Sequence, residues 1–298
     1  MLSLAKSPIA PVLGRRVPLR GPARLLFSSY AKTRHGPHSS VTRATTVAGD
    51  VFDADLSSTM EWQLWAFGHY ERHLAELFSL LVRRGDRCVD VGANIGVHTV
   101  RLAKLAGADG EVIALEPDPE LARRAERNAA INGLGNVRLI NAAASDRAGE
   151  MRLYRPSPQD TNRGRASLLH HPYLTGGAAT VPAVTLDDAC AGKRVALIKI
   201  DVEGHEAAVV RGAAAIIARD APSIVFEYEP EMLDGVAQSP FGWLAGQGYA
   251  MFSVRPSRHR ITGRVRLALD RAVEQSLEGG NYLAVSPAEA ARIGALAR

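Results

Sequence analysis

Along the middle of the chain, short runs of β-branched and aliphatic residues alternate with Ala-rich segments whose apolar positions recur at helical spacing. The spacing predicts a strand over 88–91 and a helix over 94–105, a strand over 112–115 and a helix over 119–131, then a third strand over 137–140. Repeated β-α-β units require parallel pairing through crossovers, with helices covering both faces of the sheet. After a diversion through 150–154 and a polar loop, a strand over 195–200, a helix over 205–218 and a strand over 224–226 resume the series. Two late runs, 249–254 and 282–285, are expected to close the sheet as an antiparallel pair. The expected fold is α/β: a doubly wound, mostly parallel, seven-stranded, Rossmann-like sheet with an antiparallel C-terminal strand pair.

Ahead of this series, residues 41–56 read as a hairpin turning at Gly49 and Asp50, and 60–82 as one or two helices interrupted near Gly68. Three parts are therefore expected: a flexible basic tail over 1–40, a hairpin and helical lead-in over 41–84, and the main domain over 85–298. Residues 156–177, rich in Pro, Gly, Ser, Arg and His, form a long loop, read either as a lid or binding loop or as a variable insertion.

The chemistry gathers at the carboxyl ends of the strands, where open parallel sheets place their ligands. The first strand runs out as Asp90-Val91-Gly92-Ala93-Asn94-Ile95-Gly96. Gly92 and Gly96 permit a tight turn and a close approach of backbone to ligand. The dinucleotide fingerprint fails here, because Asn94 and Val97 stand where it needs glycine. Asp90 would repel a pyrophosphate but can hold the ammonium of an amino-acid-containing ligand, directly or through water, which favours S-adenosylmethionine. Glu116 ends the second strand, where a carboxylate can accept both hydroxyl hydrogens of a ribose. The blander alternative has Asp90 capping a turn and Glu116 in solvent.

Together with Glu116-Pro117-Asp118-Pro119, Thr185-Leu186-Asp187-Asp188 and the segment from Ile198 to Glu206, IKIDVEGHE, this loop resembles the FkbM-type S-adenosylmethionine-dependent methyltransferases. The similarity extends to Tyr70-Glu71 and Phe226-Glu227 and covers roughly 41–285. It implies a class I methyltransferase with S-adenosyl-L-methionine as cofactor, acting by O-methylation on sugar, glycan or polyketide-type hydroxyls. On this reading Glu71, Asp90, Gly92, Asn94, Gly96, Glu116 and Asp201 contact the cofactor.

A hydroxyl acceptor must also lose a proton, and the fourth strand brings Asp201, Glu203, His205 and Glu206 to the functional edge. His205 is the natural general base, because imidazole titrates near neutrality. Asp201 or Glu203 either orients it or is itself the base, and Glu227 at the next strand end completes the catalytic candidates. Macrodipole stabilisation of a helix start explains Glu203 and Glu206 equally well. A divalent cation on Asp201, Glu203 and Glu227 is chemically reasonable, but no spacing demands it and no metal is expected. Thr185 and Asp188 read as a helix cap.

Charge changes the picture least. The formal net charge is +5, yet no acid precedes Asp50 while eight Lys and Arg do, so the basicity belongs to the tail and the remainder is net acidic. That weakens a nucleic-acid reading, as does the absence of the Asp/Asn-Pro-Pro-aromatic signature of exocyclic-amine methylation after the fourth strand. An oxidoreductase and a non-catalytic binding module are further alternatives. No apolar run reaches the roughly 20 residues of a membrane span. The two cysteines suggest no disulfide framework. A cytoplasmic location is expected, with mitochondrial import as the alternative raised by the acid-free, Arg-rich start.

Overall fold

The computed structural model describes residues 41–157, 160, 164–230, 239–258, 265–272 and 278–296. The expected basic tail over 1–40 lies outside them. Strands β1 (Val41–Thr45) and β2 (Val51–Asp55) form the anticipated antiparallel hairpin, turning through Gly49 at φ 84°. Helix α1 (Thr59–Phe67) ends where Gly68 turns left-handed, and α2 (Arg72–Leu81) follows.

Next come β3 (Arg87–Val91), α3 (Val97–Ala106), β4 (Glu111–Leu115), α4 (Pro119–Ile131) and β5 (Val137–Ile140). α4 starts where the pattern predicted, because Asp118 caps it by accepting the Glu120 N–H at 2.8 Å and Pro119 opens its first turn. The diversion is a separate three-stranded sheet of β6 (Ala143–Ala144), β7 (Gly149–Tyr154) and β8 (Ala178–Val184), ordered β6-β8-β7. The short helix α5 (Leu186–Ala189) is capped by Thr185, whose hydroxyl accepts the Asp188 N–H at 3.1 Å.

After β9 (Val195–Ile200), the single helix expected over 205–218 is two, α6 (Glu206–Arg211) and α7 (Ala214–Asp220). The break falls at Gly212, where a Cβ would sit 2.0 Å from the Ser145 carbonyl oxygen. Asp187 restarts the helix by accepting the N–H groups of Ala215 and Ile216 at 3.0 and 2.9 Å. β10 (Ser223–Tyr228), α8 (Pro240–Gly246), β11 (Ala250–Arg258), β12 (Val265–Arg271), β13 (Gly280–Val285) and α9 (Pro287–Leu296) complete the described chain.

The main sheet has the order β12-β11-β13-β10-β9-β3-β4-β5. β5, β4, β3, β9 and β10 pair in parallel, and β13 and β11 add antiparallel. The seven expected strands are all present, and β12 extends the antiparallel edge as an eighth. Successive residues along the central strands enter different cores. Val89, Ile113, Ile198 and Phe226 pack with Val209, Ile216 and Phe241 on one face, whereas Cys88, Val112, Leu197 and Val225 pack with Leu74, Phe78 and Leu102 on the other. A sheet buried on both faces reads as continuous apolar runs, which is why these strands were visible in the pattern.

The lead-in is fastened by side chains that imitate a neighbouring strand. Asn132 accepts the Val51 N–H at 3.0 Å and donates to the Val51 carbonyl at 2.7 Å. One turn earlier on α4, the fully buried Asn128 accepts the Asp53 N–H at 2.9 Å and donates to the Ile95 carbonyl at 2.8 Å. Asn128 thus joins the hairpin to the glycine turn. Replacing it by Leu strands two backbone groups, one buried and one half-buried, and we expect Asn128→Leu to lower unfolding free energy by about 2–4 kcal/mol in urea titrations. A loss below about 0.5 kcal/mol would contradict this account.

Candidate active site

Beyond Val91 the chain turns over the end of β4. The N–H groups of Gly92 and Ala93 both donate to the Leu115 carbonyl, at 2.9 and 3.0 Å. Gly92 (φ 74°) lies so close to the end of β9 that a Cβ there would fall 1.8 Å from the Asp201 carbonyl oxygen. Only glycine satisfies both the positive φ and that approach. Asn94 is also left-handed, at φ 52°, and its N–H donates to Glu116 Oε2 at 2.8 Å. The other oxygen, Oε1, accepts the Asp118 N–H at 2.9 Å. Glu116 therefore fixes both strand-end turns, and each oxygen keeps a further lone pair for a hydroxyl.

These turns border a cavity of about 400 Å³ at the carboxyl ends of β3, β4, β9 and β10. Of the sequence-nominated residues, Glu71, Gly92, Asn94, Glu116, Asp201, Glu203 and Glu227 line it. Its walls also include Met60 and Tyr70 from the lead-in, Ala143 and Leu153 from the small sheet, and Gly164, Arg165, Ala166 and Leu168 from the long loop. That loop is docked through Ser167, whose hydroxyl donates to the Glu203 carbonyl at 2.7 Å. Glu71, at φ 39°, faces His98 Nε2 at 2.9 Å with one oxygen and accepts from Asn281 Nδ2 at 3.3 Å with the other.

Three nominated residues stand elsewhere. Gly96 does not line the cavity; its Cα packs against α4, where a Cβ would come 3.2 Å from Ala125 Cα. Asp90 is fully buried beneath the cavity, with Oδ2 accepting from Thr99 Oγ1 at 2.6 Å and Oδ1 3.3 Å from Lys199 Nζ. The ammonium expected of a ligand is thus supplied by the chain itself. His205 turns away from the cavity, its Nε2 3.0 Å from Ser145 Oγ. The reason is local: Glu203 (φ 53°) and Gly204 (φ 100°) form a left-handed turn that presents Glu203 inward and carries His205 to the opposite side. Glu206 holds this turn, Oε1 accepting the N–H groups of Gly204 and Val202 at 3.1 and 3.3 Å. Burial pulls the His205 pKa below the ordinary imidazole value.

Pattern reasoning missed Lys199 and Arg165. Lys199 carried a signal, a lone charge inside the otherwise apolar VALIKI strand, since a buried lysine requires partners. Arg165 sat in a loop without period; its guanidinium lies 4.5 Å above the Tyr173 ring.

Electrostatically the cavity is overfilled with acids. Burial pushes Glu116 up to about 7, the Asn94 and Asp118 N–H groups offsetting part of the shift. Burial and then the Asp201 charge push Glu203 up to about 8. For Glu227 the neighbouring Asp201 is the first cause of a large upward shift and burial the second. Such a site favours a ligand that brings positive charge, and S-adenosylmethionine carries both a sulfonium and an ammonium. Among the described residues no group of three His, Cys, Asp or Glu is arranged for a metal ion, and no helix is long and apolar enough to cross a membrane.

A glycine turn pressed onto a neighbouring strand end, with an acid closing the next strand, places the chain among the class I, Rossmann-like methyltransferases. More particularly, the model of the methyltransferase FkbM domain matches residues 90–252, more than half of the chain, and the chain belongs to that family of S-adenosylmethionine-dependent enzymes. It is 24% identical over 253 residues to a putative methyltransferase of Jannaschia sp., covering 75% of this chain and 86% of that one. It is 30% identical over 126 residues to the hexuronic acid methyltransferase AglP of Haloferax volcanii, covering 41% and 48%. Over 72 residues it is 36% identical to a protein-L-isoaspartate O-methyltransferase of Ignicoccus hospitalis, covering 24% and 33%. The chain thus spans about a third of the last relative and about half of AglP.

The acids set a pH dependence. Glu116, Glu203 and Glu206 keep their protons in the fold to about pH 7, 8 and 7, but release them near 4.5 in the unfolded chain. The native state binds more protons across that window, so this contribution to stability is complete below about pH 4.5 and is lost as pH rises to about 8. Urea unfolding at pH 5 and pH 8 should show it, with a smaller pH difference in Glu203→Gln. An unchanged pH difference in that variant would remove Glu203 from the account.

Proposed function

We propose that the protein transfers the methyl group of S-adenosylmethionine to a hydroxyl of a sugar, glycan or polyketide-type small molecule. When bound, the cofactor supplies an electrophilic methyl on a sulfonium. The chain's own residues bind, orient and accept a proton. Glu116 accepts ribose hydroxyls on its free lone pairs, and the Gly92 and Asn94 turn forms the floor. The Asp201–Glu227 pair carries the acid–base step. It stands at adjacent strand ends on the cavity wall, and the Asp201 charge raises the proton affinity of Glu227. Of such a pair, the carboxylate that stays ionised can take the proton that an attacking hydroxyl gives up, while its neighbour keeps its own. Positioning of the acceptor against the methyl provides much of the remaining acceleration.

This pair is the observation that carries the reading. The sugar-type acceptor draws further support from the likeness to AglP, described as a hexuronic acid methyltransferase, and from walls rich in carboxylates, which suit hydroxyl donors. We read 85–298 as the catalytic domain, with 41–84 as a lead-in that contributes Met60, Tyr70 and Glu71 to the roof.

Isotope-labelled methyl transfer to a panel of glycosides and macrolide-type alcohols tests the reaction, with alkali-stable ether products expected. Asp201→Asn and Glu227→Gln should each lower kcat by about 10²–10⁴-fold. His205→Ala should act mainly on stability, through Ser145, and lower kcat less than about tenfold. Absence of any ether product, or a His205→Ala loss as deep as that of Asp201→Asn, would overturn this assignment.

A further inference from the structure

Lys199 is 3% exposed and lies opposite Asp90 in the parallel pairing of β9 with β3. Its ammonium touches three residues, two at the exit of β3 and one at the exit of its own strand. It donates to the Gly92 carbonyl at 3.1 Å and lies 3.3 Å from Asp90 Oδ1 and 3.4 Å from Asp201 Oδ2. Asp90 has no route to the cavity, while the Asp201 side chain is one-third exposed on its wall. Burial alone would pull the lysine pKa down; the carboxylates of Asp90, Asp201 and Glu71 outweigh it and hold the group above the usual lysine range. The surrounding carboxylates therefore hold the lysine in its charged form. Facing it and Asp201 are Asp90 on β3, Tyr70 and Glu71 before α2, Glu116 after β4, Glu203 after β9, Glu206 at the start of α6 and Glu227 on β10.

We propose that Lys199 is a positioning residue that acts through Asp201: its ammonium pins the glycine turn and forms a fixed positive base against which the acid cluster ionises, with Asp90 as its anchor. The inference rests on the reading of Asp201 as part of the reacting site. It reassigns Asp90, which holds the chain's own ammonium in place of a ligand's.

Calorimetric titration of S-adenosylmethionine into the full chain at pH 6 and pH 9 tests it without knowledge of the acceptor. At pH 6, Lys199→Met should weaken binding about tenfold or more, because fewer cluster acids ionise without the ammonium. At pH 9 more of those acids ionise unaided, although Glu227 still holds its proton, and the loss should shrink to within about threefold. An equal loss at both pH values marks a merely structural lysine and overturns the proposal. Since Lys199→Met leaves Asp90 buried and unpaired, the charge-balanced Asp90→Asn/Lys199→Met variant is measured alongside. It should regain thermal stability yet keep the pH-dependent loss; wild-type binding at both pH values would show that the lysine serves Asp90 alone, and the proposal falls. On an Asp201→Asn background, the Lys199→Met effect at pH 6 should drop below about threefold, and its full persistence counts against the coupling. Failure of the proposed reaction appears separately, as a wild-type protein that methylates no hydroxyl while the Lys199 variants still show this pH-dependent loss.

Discussion

The approach of Gly92 to the Asp201 carbonyl sets the geometry from which the rest of the site follows. β3 and β9 are neighbours in the sheet, so their exits compete for the same space. Any side chain at position 92 would drive them apart, since a Cβ there would lie well inside contact distance of the Asp201 backbone. With glycine, the two turns nest at the exits of β3 and β9, the glycine turn lying against the Asp201 backbone. The turn then lies within reach of Glu116, which closes it by accepting the Asn94 N–H.

That nesting has an electrostatic cost. Bringing the ends of β3, β4, β9 and β10 together also brings together Glu116, Asp201, Glu203 and Glu227, with Glu71 added from the lead-in. Like charges in a half-buried space cannot all ionise, and the cluster responds by retaining protons that isolated carboxylates would release. The interior tolerates this because the two apolar cores on either face of the sheet supply cohesion independent of the site. A cationic nucleoside matches the resulting field, and the same field disfavours a pyrophosphate. Cofactor choice in this fold is thus written in the sign of the strand-end charges as much as in the glycine spacing.

The sheet was legible in the sequence wherever burial on both faces produced uninterrupted apolar runs, as at 112–115 and 224–226, and wherever a cap marked a start, as Asp118-Pro119 does. β8 was hidden by Pro182, which ordinarily disqualifies a strand interior. The interruption at Gly212 depends on the Ser145 carbonyl, a contact 67 residues away in the chain that no local pattern records. For the site, the identity and order of the strand-end acids were readable, but their directions were not. Whether Asp90 faces a ligand depends on Lys199, and whether His205 faces a proton depends on two left-handed residues before it, one of them the non-glycine Glu203. Side chains in a helix-entry turn diverge by backbone dihedrals that spacing alone does not determine.

The lead-in deserves to be understood as part of this same geometry. Glu71 reaches the cavity from a left-handed position immediately before α2, and it is held there by His98 on α3 and Asn281 on β13. α3 is the helix that the glycine turn launches, and the backbone of that turn is in turn gripped at Ile95 by Asn128, whose other end holds the hairpin strand β2. Roof and floor of the cavity are therefore connected through two polar side chains buried among apolar neighbours. Polar ties of this kind contribute modestly to net stability when satisfied but cost much more when broken. They act chiefly to select one arrangement of the lead-in over the glycine turn, which is what a site requires whose chemistry rests on the placement of a methyl group and an oxygen.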